Sequence, residues 1–99
     1  MGIEKLTGTQ TKALNRINEL LFSKITLGYG EFLRLINDAG YEARTNGGGH
    51  MEIQRKSDKA PIRYESGLPV IISKNSGDFP PGKYKKILKI IREEIECYD

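Results

Sequence analysis

The sequence predicts a small α+β domain, and three observations lead to that prediction. Two segments in the first half and one at the end carry apolar residues at helical spacing. Between them, residues 50–55 alternate between polar and apolar side chains, as a strand with one buried face does. The 99 residues are 37% hydrophobic and 29% charged, which is typical of one globular domain. We therefore expect a single domain over residues 1–99.

Three helices are expected. Thr7 to Ser23 forms the first, with Thr7 or Thr9 as its cap, and Glu31 to Ala39 forms the second. Gly40 fits the position that ends the second helix. The last helix opens with Pro80-Pro81, because proline is tolerated in a first turn. Its buried stripe consists of Tyr84, Ile87, Leu88, Ile91 and Ile95.

Three strands, or four, are expected between the second and last helices. Tyr41 to Arg44 and His50 to Arg55 flank a glycine-rich loop, and Leu68 to Ser73 is the clearest β run. Pro61 to Glu65 is either a short strand or an extended loop. These elements predict an antiparallel sheet with helices on one face and an opposite face that meets water or a partner.

The composition argues against a membrane or secreted protein and against two common kinds of ligand site. No apolar run is long enough to span a membrane or to act as a signal peptide, and the only cysteine is Cys97, so we expect a cytoplasmic protein without disulfides. The sequence has no phosphate-binding loop motif and no His/Cys cluster for zinc. An enzyme with this sequence is expected to work without a tightly bound metal or cofactor.

Charge is unevenly distributed along the chain. The net charge is +3, but residues 44–92 contain eleven basic residues and four acidic ones, a net charge of +7. A nucleic-acid-binding face needs such a concentration of positive charge. A solvated, lysine-rich surface explains it equally well.

His50 is the only histidine and the first candidate for chemistry. Histidine is the residue type that titrates closest to neutral pH, so it suits proton transfer. Gly47, Gly48 and Gly49 precede it, and glycines let a phosphate backbone approach the main-chain amides. The alternation of residues 50–55 puts His50 on the polar side of its strand. The simpler interpretation is a surface histidine after a flexible turn.

The last helix carries its charges against the helix dipole. Its first half is basic and its end is acidic, whereas the dipole favours the reverse arrangement. The basic residues are Lys83, Lys85, Lys86, Lys89 and Arg92. An external phosphate at the helix start would account for this order, and solvated lysines are the alternative.

Several motifs resemble those of HicA-like toxins, in the same order. Residues 32–41 (FLRLINDAGY) resemble the family's opening helix and turn, and Gly48-Gly49-His50 resembles its G-[ST]-H turn with a required histidine. Residues 69–72 resemble its last strand, residues 76–82 its glycine- and proline-containing loop, and residues 83–91 its basic C-terminal helix. Gly49 stands where the family often has Ser or Thr, and residues 56–67 are longer than in the shortest members.

The resemblance implies a double-stranded-RNA-binding-like fold. Its α-β-β-β-α core would span residues 29–95, and residues 7–23 would be an added N-terminal helix. It also implies cleavage of mRNA and a HicB-like antitoxin that covers the histidine.

The leading hypothesis is therefore a metal-independent endoribonuclease with His50 as its general acid or base. Gly47, Gly48 and Gly49 would shape the approach of the phosphate. Candidate RNA contacts are Arg44, Arg55, Lys83, Lys85 and Lys86. The alternatives are a non-catalytic RNA-binding module with the same basic face and a protein-interaction domain that docks a partner on its sheet.

Overall fold

The computed structural model of the protein describes residues 6–45, 47–74 and 77–97. The helices are α1 (Gly8–Leu20), α2 (Tyr29–Asp38) and α3 (Pro81–Cys97), and the strands are β1 (Tyr41–Thr45), β2 (His50–Arg55) and β3 (Ile71–Ser73). The strands form an antiparallel sheet in the order β1-β2-β3. The predicted α+β class is confirmed. Asn46 of the predicted glycine-rich loop lies outside the described residues, as do residues 1–5, 75, 76, 98 and 99.

Helix α1 begins where the sequence predicted and ends earlier. The Thr7 hydroxyl accepts a hydrogen bond from the Gln10 amide at 3.0 Å, and the Gln10 side chain accepts one from the Thr7 amide at 3.1 Å. This reciprocal capping box satisfies two amides at the helix start. The helix was expected to reach Ser23 but stops at Leu20, because the amides of Phe22 and Ser23 bond to carbonyls three residues back and tighten the chain into a turn.

Helix α2 starts two residues before the predicted Glu31. Gly28 is its N-cap, and the Glu31 carboxylate accepts a hydrogen bond from the Gly28 amide at 3.1 Å. Glu31 is thus the third residue of the helix, and its side chain satisfies the amide of the N-cap residue. Gly40 ends the helix as predicted, with a φ of 102° that favours glycine.

The predicted strand or loop at Pro61–Glu65 is an extended arm beside β2. The arm forms two isolated antiparallel bridges, Gln54–Pro61 and Arg63–Pro69, and not a continuous strand. The Ile53 amide donates to the Val70 carbonyl, and the Ile53 carbonyl accepts from the Ile62 amide. The expected strand Leu68–Ser73 is shortened to Ile71–Ser73, because Val70 bonds to this arm as well as to β2.

One core joins the helices to the inner face of the sheet. From the sheet, Tyr41, Met51, Ile53 and Ile72 are buried. The Phe79 ring stacks on Phe32 with centroids 4.3 Å apart. The Leu27 amide donates a hydrogen bond to the Phe79 carbonyl, and the Phe79 amide donates one to the Leu27 carbonyl. The predicted stripe of the last helix, from Tyr84 to Ile95, is buried throughout. The opposite face of the sheet, on which Arg44 and His50 are exposed, is called the open face below.

Candidate nucleic-acid interface

The open face carries His50. Residues directly opposite one another in the sheet share a face, and successive residues alternate. Met51 and Ile53 are buried against the helices, so alternation places His50, Glu52 and Gln54 on the open face, where the Gln54 side chain is itself buried. His50 is exposed and lies opposite Ser73 of β3, and Glu52 lies opposite Arg44 of β1. His50 is therefore accessible to a large substrate.

The glycine run before His50 is exposed along its length. Gly47 has a φ of 92°, which only glycine adopts without strain. A side chain at Gly47 or Gly49 would meet no atom within 4 Å, so the space beside the main chain is open. The Gly49 carbonyl accepts a hydrogen bond from the Lys74 amide at 2.8 Å, which fixes the loop to the residue after β3. A phosphate group can reach this backbone.

Polar side chains at the far half of the open face bond to each other. The Gln54 side-chain amide donates to the Glu42 carboxylate at 2.6 Å, and the Lys59 ammonium donates to the same oxygen at 2.8 Å. The Lys59 hydrogen bond, reinforced by that of Gln54, lowers the pKa of Glu42. Glu42 thus stays ionised, and Lys59 neutralises its charge.

The half of the open face nearest the glycine loop is different. The side chains of Arg44, His50 and Glu52 make no hydrogen bond or ion pair with any residue the structure describes. A cation, an imidazole and a carboxylate therefore lie side by side without partners on a solvent-facing surface. Such groups are free to bind an external ligand.

Arg55, a predicted RNA contact, lies on the inner face. Its guanidinium bonds both oxygens of Asp58, at 3.1 and 3.3 Å, and one oxygen of Glu94 at 3.0 Å. These carboxylates, Asp58 first, raise the pKa of Arg55. The structure does not bring Arg55 to His50, and two acids already balance its charge.

The lysines of α3 lie in the first half of that helix. Near its other end, Glu94 accepts hydrogen bonds from Tyr41 and Arg55, which lie at the far end of β1 and β2. From Pro81 to Glu94 the helix runs about 20 Å, and β2 is about 17 Å long. These contacts position the Glu94 end of α3, and they do not bring Lys83, Lys85 or Lys86 to His50.

The three lysines differ in their surroundings. The Lys83 ammonium lies 4.4 Å from the centre of the Phe79 ring, a cation–π contact. Lys85 is half-buried and Lys86 is exposed, and no acid occupies the first turn of α3. Lys83 and Lys86 are both exposed, and both belong to the helix layer and not to the open face.

Sequence reasoning did not select Glu52, Ser73 or Lys74 as site residues. Alternation along β2 already placed Glu52 on the face of His50, so that signal was present. Ser73 and Lys74 become neighbours of His50 and Gly49 only through the β2–β3 register. A single sequence does not specify that register, since residues 50 and 73 are far apart in the chain.

No group of three or more His, Cys, Asp or Glu side chains in residues 6–45, 47–74 and 77–97 is arranged to hold a metal ion. No helix in these ranges is both long and apolar enough to cross a membrane. Comparison with protein-family models, curated proteins and solved structures gives no match. The resemblance to HicA-like toxins rests on the motifs quoted above.

Proposed function

We propose that the protein is an endoribonuclease in which His50 transfers protons and the open face binds the RNA strand. The observation that carries this proposal is the exposed His50 beside an accessible glycine loop, with Arg44 unpaired on the same face. Cleavage by attack of the ribose 2′-hydroxyl needs proton transfer and positive charge near the phosphate. The open face offers both.

The RNA partner is supported by the positive charge of residues 44–92. Arg44 lies on the open face, whereas Lys86 is exposed on α3. In this proposal the phosphate backbone contacts Arg44, and Gly47 to Gly49 admit it closely. Arg55 takes no part in binding, because it is paired on the inner face.

The resemblance to HicA-like toxins adds three elements to the proposal. They are a double-stranded-RNA-binding-like core, mRNA as the substrate and a HicB-like antitoxin that covers His50. The cytoplasm is the proposed location, because mRNA is available there. An antitoxin on the open face would compete directly with RNA for Arg44 and His50.

The test compares wild type, His50→Ala and a surface control, Asn15→Ala on α1, each purified identically. RNA cleavage and RNA binding are measured with EDTA present. We expect the His50 variant to lose cleavage by at least about 10²-fold, the usual effect of removing a general acid or base. Binding by all three proteins should weaken as salt rises, because phosphate contacts release counterions.

Two results would reject the proposal. RNA binding without cleavage by wild type would leave a non-catalytic RNA-binding module. Cleavage that His50→Ala retains at the wild-type rate would show that His50 is not the reactive group.

A further inference from the structure

Glu52 is the acidic residue placed to act together with His50. The two residues are separated by one position on β2, so they project from the same face. Glu52 is half-buried and opposite Arg44, which puts Arg44 diagonally across from His50. The other β-strand carboxylate of this face, Glu42, is bound by Lys59 and Gln54. Glu52 alone of the two is free to accept a proton.

Cleavage of an RNA strand requires two proton transfers. One proton leaves the attacking 2′-hydroxyl, and another reaches the departing 5′-oxygen. A single histidine in a single protonation state performs one of them. A second acid–base group at the same phosphate would perform the other transfer, and Glu52 is in the position to supply it.

The spacing along β2 suits such a pair. The Cα atoms of two residues separated by one position on a strand are about 6.8 Å apart. That distance leaves room for a phosphorus centre between two hydrogen bonds of about 2.6–3.2 Å, one to each side chain. The guanidinium of Arg44, opposite Glu52, can then contact the non-bridging oxygens of the phosphate.

We propose that Glu52 is a second catalytic residue, the general base that acts with His50 as the general acid. This inference rests on the proposed ribonuclease function. The Glu52 carboxylate takes the proton of the 2′-hydroxyl as the 2′-oxygen bonds to phosphorus. The bond from phosphorus to the 5′-oxygen breaks, and the His50 imidazolium gives that oxygen its proton. The products are a 2′,3′-cyclic phosphate and a free 5′-hydroxyl, and no co-reactant is required.

The test measures kcat, KM and the pH–rate profile for wild type, Glu52→Gln and Glu65→Gln. Glu65 is an exposed carboxylate outside the open-face cluster and serves as the matched control. We expect Glu52→Gln to lower kcat by about 10²-fold or more with KM within about threefold of wild type. The acidic limb of the pH–rate profile should vanish in Glu52→Gln and persist in Glu65→Gln. Glu52→Asp, which retains the carboxylate, should recover part of kcat and the acidic limb.

A modified substrate separates the two roles. An RNA with sulfur in place of the 5′-bridging oxygen has a leaving group that needs no acid. With this substrate His50→Ala should recover most of its lost rate, whereas Glu52→Gln should not. Recovery by Glu52→Gln instead would overturn the assignment of base and acid.

Other outcomes distinguish this inference from the proposed function. If wild type cleaves RNA and Glu52→Gln has the same kcat and pH–rate profile, Glu52 is not catalytic and the ribonuclease proposal stands. If wild type cleaves no RNA, both fail. Thermal melting of each variant checks folding, and Glu52→Ala replaces Glu52→Gln if the latter is unfolded.

Discussion

At the scale of single residues, the glycine loop contains two positions with different constraints. Gly47 has a left-handed φ of 92°, whereas Gly49 is not among the residues with positive φ. Neither position has an atom within 4 Å of an added Cβ, so space does not distinguish them. The backbone conformation alone decides which glycine can be replaced.

We expect Gly47→Ala to lower the free energy of unfolding by roughly 1–2 kcal/mol, the cost of a left-handed conformation for a residue with a Cβ. Gly49→Ala should leave it within about 0.5 kcal/mol of wild type, or raise it slightly, because alanine restricts the unfolded chain. Urea denaturation of the two variants measures the difference. Equal losses in both would contradict this account.

The residue types of His50 and the preceding glycines were enough to predict the candidate loop. The ion-pair partners of Arg55 could not be predicted from residue types. Alternation along β2 placed Arg55 with Met51 and Ile53, and the structure confirms that face. Its ion pair with Glu94 joins residues 39 positions apart. Such a pair depends on how α3 lies across the sheet, and no local pattern encodes that.

At the scale of elements, an ion pair between Arg55 and Asp58 stabilises the turn after β2. The Arg55 guanidinium holds the pKa of Asp58 below its usual range, and a hydrogen bond from the Ala60 amide acts in the same direction. The next residue, Lys59, has a φ of 60° and donates its amide to the Arg55 carbonyl. The turn thus depends on an ionised Asp58.

A carboxyl group whose pKa is lower in the folded state stabilises the protein above its unfolded pKa, about 3.9 for aspartate. That stabilisation is lost as pH falls through the folded value. We therefore expect the free energy of unfolding to decrease below about pH 4, and Asp58→Asn to make this decrease smaller. Asp78→Asn, at an exposed position, is the control. Urea denaturation between pH 2 and 6 tests this, and an unchanged pH dependence in Asp58→Asn would refute it.

The bounds of β1 and β2 were predicted to within one residue, whereas one end of α1, α2 and β3 was wrong by two or three residues. The apolar stripe of α3 is encoded every three or four residues, and its members are buried as expected. The extent of β3 was wrong because Val70 bonds an arm that starts at Ala60. Strand length depends on pairing with distant segments, which hydrophobic patterning does not report.

At the scale of the whole molecule, the sheet separates two sets of charges. Arg44 is unpaired on the open face, whereas Arg55 is paired on the inner one. The two arginines share a residue type and lie in adjacent strands, so they form a matched pair for testing which face meets RNA.

In a His50→Ala background, which prevents cleavage, Arg44→Ala should reduce the slope of log affinity against log salt by about 1. Arg55→Ala should leave that slope unchanged while it lowers thermal stability. Fluorescence titration of a labelled RNA at several salt concentrations measures both slopes. A reduced slope in Arg55→Ala alone would place RNA on the inner side.

The contact between Leu27 and Phe79 has a consequence for folding during synthesis. Six of the twenty buried hydrophobic residues in the described ranges come from residue 79 onward. Phe79 also bonds to Leu27, in the connection between α1 and α2. A nascent chain that ends before Phe79 exposes the apolar surfaces of both helices and of the sheet. Domains acquire their packing only when all core segments have left the ribosome. His50 is therefore translated well before the scaffold that holds it in place can form.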